Sequence, residues 1–401
     1  MPFQEYSPEQ AALLPLHVRD VLSEDHLVFL ISAVVEKQDL REWEAAYSDE
    51  GQCPYHPALL LKVLLYGFAL GVRASRKIEQ RIKEDLGFRY LAGGAEPDHK
   101  TLCEFLRRHG RRVNDLFTAV LEQLQTAGMG KLGVVALDST RVKANASRDR
   151  VMTEAGLRAE RARKRRQLRR WQREMTTMDT DENPGGIVAE LGRVQQRLAE
   201  IPGELQKLRK SGQKRLSRTD ADSRFLHSRE GFVLGYTAEA AASEDGLIVA
   251  ARVTQTASDQ ASLVPLVDQV EQRCGRHPEK VLADAGFYSN QNVQAMEDRR
   301  VELYVPDSVL AREMKQGRAV RGAMRISHPG LKRIRQRLRS PAGRRLYERR
   351  KGLIEPVFGT LKEHRGMRRF YRRGLSGVNA EFLLMAPAFN LTRLYAIRKT
   401  S

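Results

Sequence analysis

Gly133-Val134-Val135-Ala136-Leu137-Asp138-Ser139-Thr140 is the stretch where the chain stops reading as helix and starts reading as sheet. Its short Val- and Leu-rich run has the character of a strand, and it ends on a carboxylate followed by two small hydroxyl residues. A second such run, Lys280-Val281-Leu282-Ala283, ends on Asp284 and continues as Ala285-Gly286-Phe287-Tyr288-Ser289. Ligands of open sheets gather outside the carboxyl ends of parallel strands, so Asp138 and Asp284 would emerge at one edge if their strands are adjacent and parallel. A third acid, Glu355, stands in Gly352-Leu353-Ile354-Glu355-Pro356-Val357-Phe358-Gly359. Proline disfavours helical geometry at the residue before it and removes a backbone donor, so the reading puts Glu355 at a helix break.

Around these residues, further strand-like runs cover Phe232 to Ala238, Leu247 to Thr254 and Val301 to Val305. Helix-like stretches lie near Ser262 to Arg273 and Asn292 to Arg299, and the alternation predicts an α/β fold, a mixed sheet flanked by helices. Residues 1–128 read as an N-terminal all-helical domain. Ser7-Pro8-Glu9-Gln10 has capping-box spacing, Pro57 suits the first turn of a helix that runs apolar from Ala58 to Leu65, and further helices are expected from Ser75 to Leu86 and from His99 to His109. Its expected role is binding of DNA ends or dimerisation. Residues 129–150 and 218–395 form the expected catalytic domain, interrupted at 151–217 by a segment rich in Arg, Lys, Glu, Gln and Leu. That segment predicts an inserted helical hairpin, with helices around Arg161–Arg170 and Gly192–Leu208 and a turn at Asp181-Glu182-Asn183-Pro184-Gly185-Gly186. Its dense arginines favour an arm lying along DNA over a coiled arm for oligomerisation.

The formal net charge is +19, and it is unevenly placed. From residue 311 onward there are 24 Lys and Arg against 5 Asp and Glu, leaving 45 of each in the first 310 residues. Blocks such as Lys332–Arg339 and Arg368-Arg369-Phe370-Tyr371-Arg372-Arg373 offer guanidinium groups that bind phosphate bidentately, and they surround Glu355. Three cysteines, Cys53, Cys103 and Cys274, with no Cys-x-x-Cys pair, suggest neither a disulfide framework nor a zinc cluster. There is no apolar run of membrane-spanning length, and Met1-Pro2-Phe3-Gln4-Glu5 lacks the order of a secretory signal. The expected place is the cytoplasm, in contact with the nucleoid of a bacterium.

Three carboxylates converging from two strands and a helix can hold a pair of Mg2+ ions, which prefer oxygen ligands and can serve an in-line phosphoryl displacement. Lys362 follows Glu355 by seven residues and Tyr347 precedes it by eight, close to two helical turns each way. On one continuous helix all three would share a face.

In these residues the chain resembles the DDE transposases of bacterial insertion sequences. The resemblance runs from the N-terminal helices through Leu137-Asp138-Ser139-Thr140, Gly235-Tyr236-Thr237, Ala283-Asp284-Ala285-Gly286 and Ile354-Glu355-Pro356-Val357-Phe358-Gly359 to Asn390-Leu391. It implies an RNase H-like catalytic core in which Asp138, Asp284 and Glu355 are the catalytic and metal-binding triad for two Mg2+ ions, with Mn2+ able to substitute. It also implies cleavage at the terminal inverted repeats of a transposon and strand transfer into target DNA by a homodimer. Tyr347, Arg350, Lys351 and Lys362 are the expected contacts to the DNA end, with Arg365, Arg368, Arg369, Arg372 and Arg373 of the basic block. The family's Tyr-Arg-Glu-Lys signature is offset here: Lys351 stands where the family has Arg, and Arg350 and Tyr347 lie one place early. Gly235-Tyr236-Thr237-Ala238-Glu239 likewise differs from the expected Gly-Tyr-Asn-x-Gln. Two other functions fit the same features, an RNase H-like nuclease with no joining step and a basic DNA-binding protein with no catalysis.

Overall fold

The computed structural model describes residues 17–47, 53–177, 185–228, 231–317 and 329–400. The capping-box reading at Ser7–Gln10 and the hairpin turn at 181–184 lie outside those residues. Gly185 and Gly186 already belong to the second hairpin helix, Gly185–Lys210.

The strands are β1 (Val134–Lys143), β2 (Val151–Met152), β3 (Leu216–Ser217), β4 (Arg224–Ser228), β5 (Gly231–Ala242), β6 (Ile248–Thr254), β7 (Lys280–Leu282) and β8 (Glu302–Tyr304). Six of them form one mixed sheet, ordered β4-β5-β1-β7-β8, with β6 also paired to β5. The β1, β7 and β8 pairings are parallel, and the pairings of β5 are antiparallel. Every strand expected from its apolar run is present. The sequence reading missed β4, whose Arg-Phe-Leu-His-Ser run carries little apolar signal, and the two-residue ladder of β2 with β3.

Two expectations need correction. Asp138 does not end its strand, because β1 continues five residues further to Lys143, paired with β5 down to Lys143↔Gly235. Gly235 explains how the ladder closes there, since a Cβ on it would lie 2.0 Å from the Val142 carbonyl oxygen. Only glycine permits so close a backbone approach. The second correction concerns Glu355, which stands at no helix break. One helix runs from Pro341 to Glu363 with Pro356 inside it. The carbonyl that Pro356 leaves unpaired is that of Gly352, and both residues are exposed, so solvent can take the lost partner.

Helices Pro57–Ala69, Ser75–Glu84 and His99–His109 form where the sequence placed them. His56 and Asp98 cap the first and the last of these with their side chains. One hydrophobic cluster runs from Leu27 through the N-terminal helices and the sheet to Leu394 on the last helix, Leu375–Thr400. The hairpin helices Glu154–Thr177 and Gly185–Lys210 stand on a separate small cluster of Met152, Leu157, Ile201, Leu208 and Leu216. Arg197 bridges across them to Glu160 at 2.8 Å and also pairs with Glu204 on its own helix at 2.7 Å.

Candidate active site

Register places the two aspartates. On the parallel pair β1 and β7, Val134 stands beside Lys280 and Ala136 beside Leu282. Two residues beyond that last pair come Asp138, still within β1, and Asp284, just past the end of β7, close enough that the charge of Asp284 acts on Asp138. Asp284 leaves β7 as the cap of a short turn, its Oδ1 accepting from the Gly286 N–H at 2.8 Å. Asp138 Oδ1 accepts from the Ser139 N–H at 2.8 Å, and its Oδ2 lies 3.4 Å from Arg350 Nη1.

A third carboxylate belongs to this group, one that the sequence reading did not single out. Asp259 Oδ1 accepts from Ser139 Oγ at 2.8 Å and pairs with Arg141 Nη1 at 3.3 Å. A Cβ built on Gly286 would meet Asp284 Oδ1 at 3.0 Å and Asp259 Oδ2 at 3.2 Å, so these two carboxylates flank one small space. Burial pushes the Asp138 carboxyl up from its ordinary range, Arg350 pulls it back, and the charges of Asp284 and Asp259 push it further up. Asp259 gave no signal because it sits in the polar loop Gln255–Gln260, after no apolar run.

The Pro341–Glu363 helix packs across β1 and β5 and buries Arg350, Ile354, Val357, Phe358 and Leu361. Arg350 faces Asp138, and Tyr347, half-buried on the same side, feels the charges of Arg350, Asp284 and Asp138. Glu355 is five residues on, a rotation of about 140° from Arg350 at 100° per residue. Its side chain is exposed. Lys351 is exposed as well, while Lys362 is half-buried on the side of the helix that carries Glu355. On this one continuous helix Tyr347, Glu355 and Lys362 fall within about 80° of one another, with Tyr347 at the half-buried edge of that face and Glu355 at the exposed one. Among the described residues no three His, Cys, Asp or Glu side chains are arranged to hold a metal ion.

The basic block divides. Arg365 is turned inward, donating to Thr392 Oγ1 at 2.8 Å, and burial lowers its pKa. Arg368 pairs with Glu363 at 2.6 Å, and Arg369 donates to Asn145 Oδ1 at 2.7 Å. Arg372 reaches the Cys103 carbonyl at 3.1 Å, and Arg373 the Asn145 carbonyl at 3.0 Å. The whole turn lies against the far end of β1, where the Phe370 N–H donates to the Lys143 carbonyl at 2.8 Å.

A mixed sheet that presents two aspartates at the same end of one parallel strand pair, with arginines around it, defines a candidate phosphoryl-transfer site on nucleic acid. Residues 16–108 match a family described as Transposase domain (DUF772), and residues 311–395 match a family described as Transposase DDE domain. A transposase domain is thus matched towards each end of the chain, and the two matches support a DDE transposase of an insertion element. The second match covers Glu355 and the basic turn; Asp138 and Asp284 lie between the two matches. No curated protein and no solved structure matches the chain.

Proposed function

We propose that Asp138 and Asp284, with Glu355, are the catalytic carboxylates with which this DNA transposase cuts transposon ends and joins them to target DNA. The observation that supports the reading is the β1–β7 register, which brings both aspartates to the same end of one parallel strand pair. The strand order β6-β5-β1-β7-β8, antiparallel on one side of β1 and parallel on the other, supports an RNase H-like core.

The donor set suits a hard divalent cation, since Asp138, Asp284 and the neighbouring Asp259 offer oxygen only. When bound, Mg2+ would supply positive charge that eases deprotonation of the attacking oxygen and stabilises the leaving oxygen. The protein's own part begins with Arg350, which offsets charge at Asp138. Asp259 orients Ser139 and Arg141 beside the pair. Chemically, water attacks the phosphodiester at the element's end and the 3′ oxygen leaves; the freed 3′ hydroxyl then attacks a target phosphodiester by the same displacement. Glu355, exposed on the helix that packs across β1, is the third carboxylate of this reading, and an interior proline beside it, with one helical hydrogen bond already missing, is where a helix bends most readily.

The test uses purified protein, Mg2+ and DNA carrying the inverted repeats that flank the coding sequence. Asp138→Asn and Asp284→Asn are expected to lose cutting and joining by at least about a hundredfold while still binding the ends. Joining activity retained in Asp138→Asn contradicts the assignment. Supplying pre-cleaved ends with a target plasmid separates a transposase, which yields joined products, from a nuclease, which does not.

A further inference from the structure

A large cavity among the described residues lies away from the carboxylates. It has a volume of about 1570 Å³ and lies between the N-terminal helices and the basic turn. Helices Ser75–Glu84 and His99–His109 and the residues just after them supply Arg76, Lys100, Arg107 and Arg111 to its wall, while the turn supplies Arg372 and Arg373. Sites for small ligands run to roughly 1,000 Å³ and are mostly apolar. This cleft is larger, and its wall carries nine Arg and Lys side chains against Glu42, Glu104 and the buried Glu381.

The turn is held rigidly by one buried ion pair. Arg73, at the foot of the N-terminal helices, donates from Nη1 to Glu381 at 2.6 Å, and both side chains are almost fully buried. Arg73 also donates from Nη2 to the Gly366 carbonyl and to the Arg369 carbonyl. Glu381 in turn accepts from the Tyr371 N–H at 3.0 Å and the Arg372 N–H at 2.9 Å. Asn145 Nδ2 donates to the Tyr371 carbonyl at 2.7 Å. This pinned backbone presents an aromatic ring to the cleft: Tyr371 is 48% exposed, with the Arg73 guanidinium 4.9 Å from its ring centroid. A large aromatic held still, partly bare and surrounded by arginines has no packing role that requires its exposure.

We infer that this cleft is a binding groove for a DNA strand, which holds phosphates on Arg76, Lys100, Arg111 and their neighbours and stacks an unpaired base on Tyr371. Basic grooves interleaved with aromatic platforms bind single strands in this way. The groove also lies on the path to the proposed chemistry. Lys143, which contacts the turn, is five residues beyond Asp138 on β1, roughly 17 Å away. That span is about five nucleotide steps at ~3.4 Å each. A strand with its scissile phosphate at Asp138 would reach the cleft within one helical turn. The N-terminal helices and the catalytic sheet then grip the same DNA, and the Arg73–Glu381 pair is a positioning device for that grip. The inference rests on the DNA-processing reading above.

Binding is measured by fluorescence anisotropy with the full-length Asp138→Asn protein, so that the assay stays independent of cutting. The probes are a labelled mixed-sequence duplex and the same duplex with a single-stranded tail. Arg76→Gln, Lys100→Gln and Arg111→Gln together are expected to weaken binding to both probes and to flatten the slope of log affinity against log salt by about 0.9 for each phosphate no longer neutralised. A control with Lys37→Gln, Arg276→Gln and Arg398→Gln removes three exposed cations outside the cleft. Equal weakening in the two triple variants would overturn the groove. Tyr371→Ala is expected to weaken the tailed probe roughly tenfold and leave the blunt duplex unaffected, with Tyr371→Phe close to the parent. Equal effects of Tyr371→Ala on both probes, or none on either, would overturn the stacking role. Unchanged melting temperatures certify that each variant is folded, and a catalytic reading that fails elsewhere leaves these results standing.

Discussion

Asp138 and Asp284 are placed by backbone hydrogen bonds, whereas Glu355 is placed by the rotation of a helix, and the two kinds of placement differ in how much holds them. The aspartates sit two residues past a parallel ladder whose register cannot slip by one without moving every side chain of the buried strands to the wrong face. Glu355 depends on the phase of one helix at one proline, and it lies exposed, about 140° around from the Arg350 that faces Asp138. In this structure the sheet pair is tied to a ladder of backbone hydrogen bonds, and the helix residue to the phase of one helix. A site assembled from both kinds has a fixed half and an adjustable half.

The largest effect is expected from attacking the fixed half. Gly235→Ala puts a Cβ 2.0 Å from the Val142 carbonyl oxygen and forces β1 and β5 apart near Lys143. Destabilisation of about 3 kcal/mol is expected in urea unfolding, with loss of activity following from loss of fold. A variant as stable as the parent shows that β5 can shift sideways, and weakens the claim that the ladder fixes Asp138.

Pro356→Ala addresses the adjustable half. It restores an N–H to the Gly352 carbonyl and is expected to stabilise the helix by about 1–2 kcal/mol, less than the full intrinsic preference for alanine because the site is exposed. If Glu355 must turn inward to act, the straighter helix lowers the cutting rate even as stability rises. Unchanged or faster cutting shows that Glu355 acts from the side it already occupies.

The smallest effect concerns the charge on Asp138. Its folded-state pKa is raised by burial, so the folded protein holds that proton more tightly than the unfolded chain does. The contribution to stability falls as pH rises from the ordinary aspartate range through the raised folded value, and recovers as pH falls. Asp138→Asn is therefore expected to melt slightly higher than the parent at neutral pH, with the gap closing in acid. A lower melting temperature at neutral pH makes the Arg350 pairing, rather than burial, the dominant influence.

This contrast also marks what could be read from residues alone. The strands carrying both aspartates were legible because short runs such as Val134–Leu137 and Val281–Ala283 have no other good use for their apolar side chains. The hairpin was legible from Leu and Arg spaced at helical intervals through 154–210. What escaped depends on context beyond a few neighbours. The polar run of β4 is a strand because β5 offers it a ladder, and β1 outlasts its apolar run because Ser139–Lys143 pair with Gly235–Glu239. Asp259 joins the other carboxylates only through the tertiary return of its loop. Pro356, read locally, breaks a helix; buried Ile354, Val357, Phe358 and Leu361 on either side of it hold the helix together. The basic block read as one surface separates into an inward Arg365 and a turn aimed at a cleft because a single buried pair, Arg73 with Glu381, fixes its backbone.

The central claim is that the sheet pair is the seat of cation binding, and electron paramagnetic resonance of bound Mn2+ tests it without recourse to catalysis. Titration of the parent, Asp138→Asn, Asp284→Asn and Glu355→Gln should show specific Mn2+ binding abolished in both aspartate variants and only weakened in Glu355→Gln. Full binding by Asp138→Asn and Asp284→Asn, each correctly folded, would contradict the account.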